Sequence, residues 1–202
     1  MDLIIVRHGR PLRVEGAETS ADPPLTDIGH EQAAATARLL LREPIDHVVT
    51  SPMLRARQTA QPLADALGIE AEVVDDLAEI DKDADHYIPM EELKAQGGEA
   101  WQAVIDDPHS INHGVDIDEF ADTVTAAFEA VIAANPKRTV VAFCHGMVTM
   151  QFLRRVLGFE NPFGLRTDYA SVTRIQASST GVRTVRSVNE TAHLGDSRIL
   201  SP

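Results

Sequence analysis

The 202-residue sequence predicts an α/β fold: a three-layer α/β/α sandwich on a mostly parallel central sheet, with a C-terminal β-hairpin. Three observations predict it. Leu3-Ile4-Ile5-Val6 and Thr139-Val140-Val141-Ala142-Phe143-Cys144 are continuous apolar runs, the pattern of strands covered on both faces. Shorter strand-like segments alternate with stretches of helical periodicity, the βαβ order that puts helices on both faces of a parallel sheet. Late in the chain, two alternating segments flank Ser179-Thr180-Gly181 and read as a hairpin.

The elements follow in order. Residues 26–41 carry Ala33, Ala34, Ala37, Leu40 and Leu41 at helical spacing, with Thr26 as the N-cap. His47-Val48-Val49-Thr50 is a short strand. A helix over 52–67 starts with Ser51 as N-cap and Pro52 at its first position, and stops at Gly68. Ala71-Glu72-Val73-Val74 is a third short strand. Helices follow over 118–134, closed by Asn135-Pro136, and over 148–157, ended by Gly158. The hairpin arms are 171–175 and 182–185. Residues 1–194 read as a single domain. Within it, 82–114 has weak helical character and many turn residues, which suits an insertion over a site. Residues 195–202 read as a loose tail.

Composition narrows the function. With 31 acidic and 18 basic side chains the formal charge is −13, a surface that repels nucleic acid and anionic membranes, so neither is expected as a partner. No apolar run reaches the ~20 residues of a membrane span, and Met1-Asp2-Leu3-Ile4-Ile5-Val6 lacks the basic start of a signal peptide. One cysteine, Cys144, fits a reducing, cytoplasmic setting; on a buried strand it reads as core. Against the acidic background Arg7, Arg10, Arg13, Arg55 and Arg57 stand out, concentrated beside two structured motifs.

Those motifs share a grammar. Val6-Arg7-His8-Gly9 follows the first strand, and Phe143-Cys144-His145-Gly146 follows the late one. Each puts a histidine at the carboxyl end of a central strand, the edge where open α/β sheets bind ligands, with a glycine that permits close backbone approach to an anion. A neutral imidazole is a good nucleophile toward phosphorus near pH 7, provided its other nitrogen holds a proton. A phosphoryl group in transfer needs cationic and N–H donors around its oxygens. Arg7 adjoins His8, and Arg55 lies near the positive end of a helix. A leaving alkoxide needs a proton, so a carboxylic acid is expected nearby.

Taken together the motifs resemble the histidine phosphatase superfamily, the phosphoglycerate-mutase-like fold. Arg7-His8-Gly9 resembles its signature, and the run from Leu25 through Thr26, Gly29 and Gln32 to Ala33 resembles the start of its first helix. The block from Ser51 to Ala60, Leu77-Ala78-Glu79, His145-Gly146 and the closing Asn189-Glu190-Thr191-Ala192-His193-Leu194 are similar in turn, and in the family's order. The resemblance implies a metal-independent phosphatase with His8 as the phosphohistidine nucleophile. Arg7, Arg55 and His145 would hold phosphate together with Gly146, and Glu79 would be general acid and base. Asp75, Asp76, Asp81 and Asp83 are neighbouring carboxylates. Arg10-Pro11 stands where the family often has Glu-Thr or Glu-Ser. Arg10 either meets a second anionic group on the substrate or points to solvent. The Trp-Glu-Gly element, the Asn-rich extension and the longer insertions of cofactor-dependent mutases are absent, which favours hydrolysis. A mutase of the same chemistry and a non-catalytic phospholigand-binding protein are the alternatives. No cofactor or metal is implied: His109-Ser110-Ile111-Asn112-His113 offers two histidines and no third ligand. Trp101 reads as packing in the insertion or as part of a lid. The expected partner is a small phosphorylated molecule, with a homodimer possible.

Overall fold

Period-2 alternation along two long strands decides the layering. The computed structural model describes residues 1–107 and 113–198. In it β1 (Asp2–Arg7) and β4 (Thr139–Cys144) run parallel, Asp2 opposite Thr139 and Arg7 opposite Cys144. Leu3, Ile5, Val140, Ala142 and Cys144 face one side, against Phe128 of α5 (Ile117–Ala134) and Val148 and Phe152 of α6 (Gly146–Leu157). Ile4, Val6, Val141 and Phe143 face the other, against Leu40 of α1 (Asp27–Leu40) and Ala60 and Leu63 of α2 (Leu54–Leu67). Strands apolar on both faces thus bury both, each large side chain contributing about 1.5–3 kcal/mol.

The sheet has the order β3-β2-β4-β1-β5-β6, with β2 at His47–Thr50, β3 at Glu72–Val73, β5 at Val172–Ala177 and β6 at Arg183–Glu190. The first four strands pair in parallel; β1–β5 and β5–β6 are antiparallel. The α/β/α sandwich with a mostly parallel sheet and a terminal hairpin is therefore the fold. Because β4 inserts between β2 and β1, the carboxyl ends of β1 and β4 are neighbours, and the loop into α2 opens beside them. That ordering brings the two His-Gly motifs together.

Several boundaries differ from the sequence reading, for physical reasons. Thr26 caps α1 as expected, its Oγ1 accepting from Gly29 N at 3.0 Å. The second helix starts later than expected, at Leu54, and Ser51 is not its cap. The carboxylate of Asp22, remote in sequence, accepts from Leu54 N at 2.9 Å instead. The helix expected from 148 begins at Gly146, because His145 is extended and takes the N-cap position. The third strand shrinks to Glu72–Val73 at the sheet edge, both side chains exposed.

Among the described residues, two short helices, α3 (Met90–Gln96) and α4 (Gly98–Asp106), lie between a 3₁₀ turn at Asp75–Leu77 and α5. They are joined at Gly97 and Gly98, both at positive φ. The stretch before them is strapped to the segment after His8: Val14 and Tyr87 exchange backbone bonds at 2.9 and 2.8 Å, and Ala17 N and Ala21 N donate to Asp85 and Ala84. The chain closes in a 3₁₀ segment, Ala192–Arg198, with Leu194 against Ala35 and Ala170. Residues 199–202 of the expected tail, and His109 of the histidine pair, lie outside the described residues. Among the described residues no helix is long and apolar enough to cross a membrane.

Candidate active site

His8 leaves β1 with its backbone held on both sides: its N–H donates to Cys144 O at 2.9 Å and its carbonyl accepts from Ala170 N at 3.1 Å. The side chain is buried. Nδ1 lies 2.8 Å from Gly9 O, and a carbonyl can only accept, so Nδ1 carries the proton and Nε2 is left with its lone pair. Burial first, then the Arg55 and Arg7 charges, push the imidazole well below its ordinary 6.5, against the opposing hydrogen bond to Gly9. It is neutral near pH 7, the form that attacks phosphorus.

The glycine motif explains itself in three dimensions. A Cβ on Gly9 would come within 2.6 Å of Gly29 O, and one on Gly29 within 2.2 Å of Arg10 O. The loop after His8 and the start of α1 therefore touch backbone to backbone. The Thr26 N–H and hydroxyl both donate to Arg10 O, at 2.9 and 3.0 Å, and Gln32 Oε1 accepts from Arg10 N at 2.9 Å. Thr59, inside the Ser51–Ala60 block, accepts from Gly9 N at 2.9 Å and donates to Arg55 O at 2.7 Å. The residues of the Leu-Thr and Ser-Pro blocks thus hold the loop after His8.

His145 lies across the site, its ring centroid 5.1 Å from that of His8. Its Nε2 is 2.7 Å from Ser51 Oγ, while Ser51 Oγ also accepts from Met53 N at 3.3 Å. A serine hydroxyl can accept from Met53 N and donate to Nε2 at once, and in that arrangement the ring proton is on Nδ1. Nδ1 is buried and has no hydrogen-bond partner, an N–H held ready for an anion. Burial first, then Arg55, His8 and Arg7, hold this imidazole well below 6.5 as well. A phosphate dianion between the rings would oppose those charges and favour protonation of His145.

Two guanidinium groups complete the cradle, each set by an aromatic ring. Arg55 is fully buried. Its Nη2 bonds Asp81 Oδ1 at 2.8 Å, Nη1 is 3.8 Å from Asp22 Oδ1, and Nε and Nη1 make no hydrogen bond. Arg7 donates from Nη1 to Thr167 O at 2.6 Å and leaves Nε unpaired. Arg7 stacks 4.0 Å over the Tyr169 ring and Arg55 4.7 Å over the Tyr87 ring, and the two tyrosine hydroxyls meet at 3.3 Å. A ring orients a guanidinium without using up its N–H groups. Neither tyrosine was legible as a site residue. Tyr169 depends on the closing motif, where Asn189 Oδ1 accepts from Asp168 N at 2.6 Å and His193 Nε2 lies 3.1 Å from Thr36 Oγ1.

Glu79 is the buried carboxyl at this site. Oε1 accepts from Ile80 N and Oε2 from Met147 N, both at 3.0 Å; the latter is a free N–H in the first turn of α6. Burial, then the nearby Asp81 charge, raise it from 4.5 to about 7, against both backbone bonds and Arg55. It therefore holds a proton near neutrality, whereas Asp81 is the ion-pair partner of Arg55. Asp75, Asp76 and Asp83 are exposed.

A Cβ on Gly146 would lie 3.4 Å from Arg7 Nε, an ordinary van der Waals contact, so Arg7 packs directly beside the start of α6. Arg10 is paired with Glu92 of α3 at 2.7 Å, and Arg13 bonds Glu15 at 2.7 Å. Arg57 is exposed on α2. Cys144 is fully buried, and burial pushes its thiol up to about 12, which suits the core role read from the sequence. A cavity of about 290 Å³ opens above His8, Arg7, Arg55 and Glu79, and Trp101 lines an adjoining one.

Two buried histidines and two arginines, with a buried carboxyl alongside, converge at the carboxyl end of the sheet and make a site suited to an anion. The model of the histidine phosphatase superfamily (branch 1) matches residues 3–191, and the chain belongs to that family. It is 29% identical over 198 residues to the bifunctional protein Rv2228c of Mycobacterium tuberculosis, covering 95% of this chain and 54% of that protein. The chain thus spans about half the length of the first curated relatives it matches. It is 25% identical over 208 residues to a probable phosphoglycerate mutase GpmB of Yersinia enterocolitica, covering 96% of this chain and 95% of that one. The fold matches the crystal structure of phosphoserine phosphatase from Entamoeba histolytica in complex with 3-phosphoglyceric acid. There the TM-score is 0.71 at 21% identity, with 96% of this chain and 98% of that chain covered.

Proposed function

We propose that this protein is a metal-independent phosphatase that hydrolyses small phosphomonoesters through a phosphohistidine on His8. The observation that carries the reading is the division of protonation states. His8 is neutral with Nε2 free, while Glu79, raised to about 7, still holds a proton. Two titratable groups pushed apart in this way are matched to nucleophile and acid.

In the first step the His8 Nε2 lone pair forms a bond to phosphorus as the P–O bond to the alcohol breaks. The departing alkoxide takes the Glu79 proton. Arg7, Arg55 and His145 Nδ1–H neutralise the equatorial oxygens, their unpaired N–H groups becoming charge-assisted hydrogen bonds. In the second step the Glu79 carboxylate removes a proton from water, the water oxygen bonds phosphorus, and the P–N bond breaks. His8 returns neutral and Glu79 protonated. A cytoplasmic setting agrees with a single, buried, unpaired cysteine.

The relatives include a probable phosphoglycerate mutase, so the test must separate hydrolysis from isomerisation. Incubation with a panel of phosphomonoesters including 3-phosphoglycerate is expected to release inorganic phosphate and to form an acid-labile phosphoenzyme lost in His8→Ala. Isomerisation without release would favour the mutase. No turnover and no phosphoenzyme would favour a binding protein.

A further inference from the structure

Beside the phosphate cradle is a second cavity of about 470 Å³ that the phosphoryl chemistry does not use. It shares Arg7, Glu79, Met90, Val104 and Met147 with the first, so it begins where the leaving oxygen must lie, at the acid. Away from Glu79 its walls are Met90 of α3, Trp101 and Val104 of α4, Met150 of α6, and Phe163 and Leu165 of the loop before β5, all half-buried. Its charged groups sit at the rim or are engaged. Lys94 is exposed, and Arg166, 69% exposed, donates from Nε to Asp168 Oδ1 at 2.7 Å. One polar atom is different: Glu91 Oε2 is buried and makes no hydrogen bond.

We propose that this cavity is the leaving-group subsite and that it selects phosphomonoesters of apolar, ring-bearing alcohols over small acidic or polyhydroxylated ones. The inference rests on the phosphatase reading above. Its physical grounds are that the wall offers dispersion and apolar burial to a ring, and that its flexible methionines adapt to ring shape. A carboxylated alcohol such as glycerate would bring a second negative charge into a cavity that already holds Glu91, and would lose its hydration against apolar walls. Arg10, the cation that the sequence offered for such a group, lines neither cavity and is bound to Glu92. Glu91 Oε2 would accept from a hydroxyl or N–H on the ring.

The test compares three substrates with primary alkyl leaving groups: 2-phenylethyl phosphate, ethyl phosphate and 3-phosphoglycerate. Phenylethanol and ethanol depart with similar basicity, so their difference reports the subsite rather than the bond broken. The kcat/KM for 2-phenylethyl phosphate is expected to exceed that for ethyl phosphate by about tenfold or more, with 3-phosphoglycerate lowest. Val104→Asp is expected to bring the phenylethyl-to-ethyl ratio close to one. Trp101, the chain's only tryptophan, gives an independent readout. In His8→Ala, its fluorescence is expected to shift saturably with 2-phenylethyl phosphate and not with ethyl phosphate. Equal kcat/KM for all three esters would overturn the apolar subsite while leaving the phosphatase standing. No hydrolysis of any ester, and no phosphoenzyme, would remove both.

Discussion

Replacing Glu79 by glutamine separates the electrostatic cost of the acid from its packing. In the folded protein the carboxyl lies at about 7, against an ordinary 4.5. That displacement corresponds to roughly 3 kcal/mol, at 1.36 kcal/mol for each tenfold change in proton affinity. Between these pH values the folded state binds the proton and the unfolded chain has lost it, so stability falls as pH rises. The contribution is complete below 4.5 and gone once pH has passed about 7. Glutamine does not titrate. Its amide does place one N–H₂ against a backbone donor, Ile80 N or Met147 N, at a pH-independent cost of about 1–3 kcal/mol. The informative quantity is therefore the wild-type minus Glu79→Gln difference, measured by urea unfolding at pH 4.5 and pH 8. It is expected to move by roughly 3 kcal/mol in favour of the variant at the higher pH. A difference constant within about 0.5 kcal/mol, the scale of a neutral surface change, would refute the assignment of a buried, proton-holding acid.

The same proton sets the pH profile. For esters of poor leaving groups, kcat/KM is expected to fall above about pH 7 as Glu79 ionises, and that limb should vanish in Glu79→Gln, whose rate is lower by about 10²–10⁴. Ser51→Ala removes the hydroxyl that orients His145. It should lower kcat roughly tenfold or more while costing only about 1 kcal/mol in urea unfolding; an unchanged kcat would sink that orienting role. In Gly29→Ala the new Cβ would meet Arg10 O at 2.2 Å, backbone against backbone, so a loss of about 2 kcal/mol or more is expected by the same assay. Cys144, buried with its thiol raised to about 12, should resist iodoacetamide at pH 8 in the native protein and react once urea unfolds it.

The departure at Arg10 also gains a physical account. A cation after the His-Gly turn would open a second anion site only if left unpaired. Here Glu92 takes it, and with the Val14–Tyr87 backbone pairing it ties the α3 region to the loop after His8. Neither of the two roles weighed from the sequence anticipated that partner, because 82 residues separate the two side chains.

What the sequence determined by itself is what local chemistry carries. Runs apolar on both strand faces specify a covered parallel sheet, and Thr26, Gly68 and Gly158 mark their helix ends. Arg7, His8 and His145 stand at strand ends and Arg55 at a helix start, so local pattern singles them out, whereas Glu79, past a 3₁₀ turn, came only through the resemblance. Tertiary structure decided what depends on strand order and on long-range partners. Ser51 looked like a helix cap, but β4 lying beside β2 brings it to His145, and Asp22 does the capping. Tyr87 and Tyr169 have no local signature; they meet because the strap from Val14 and the Asn189–Asp168 pair deliver them to one place. The proton on Glu79 is likewise a property of burial and of Asp81, and a one-dimensional reading of an acidic stretch contains neither.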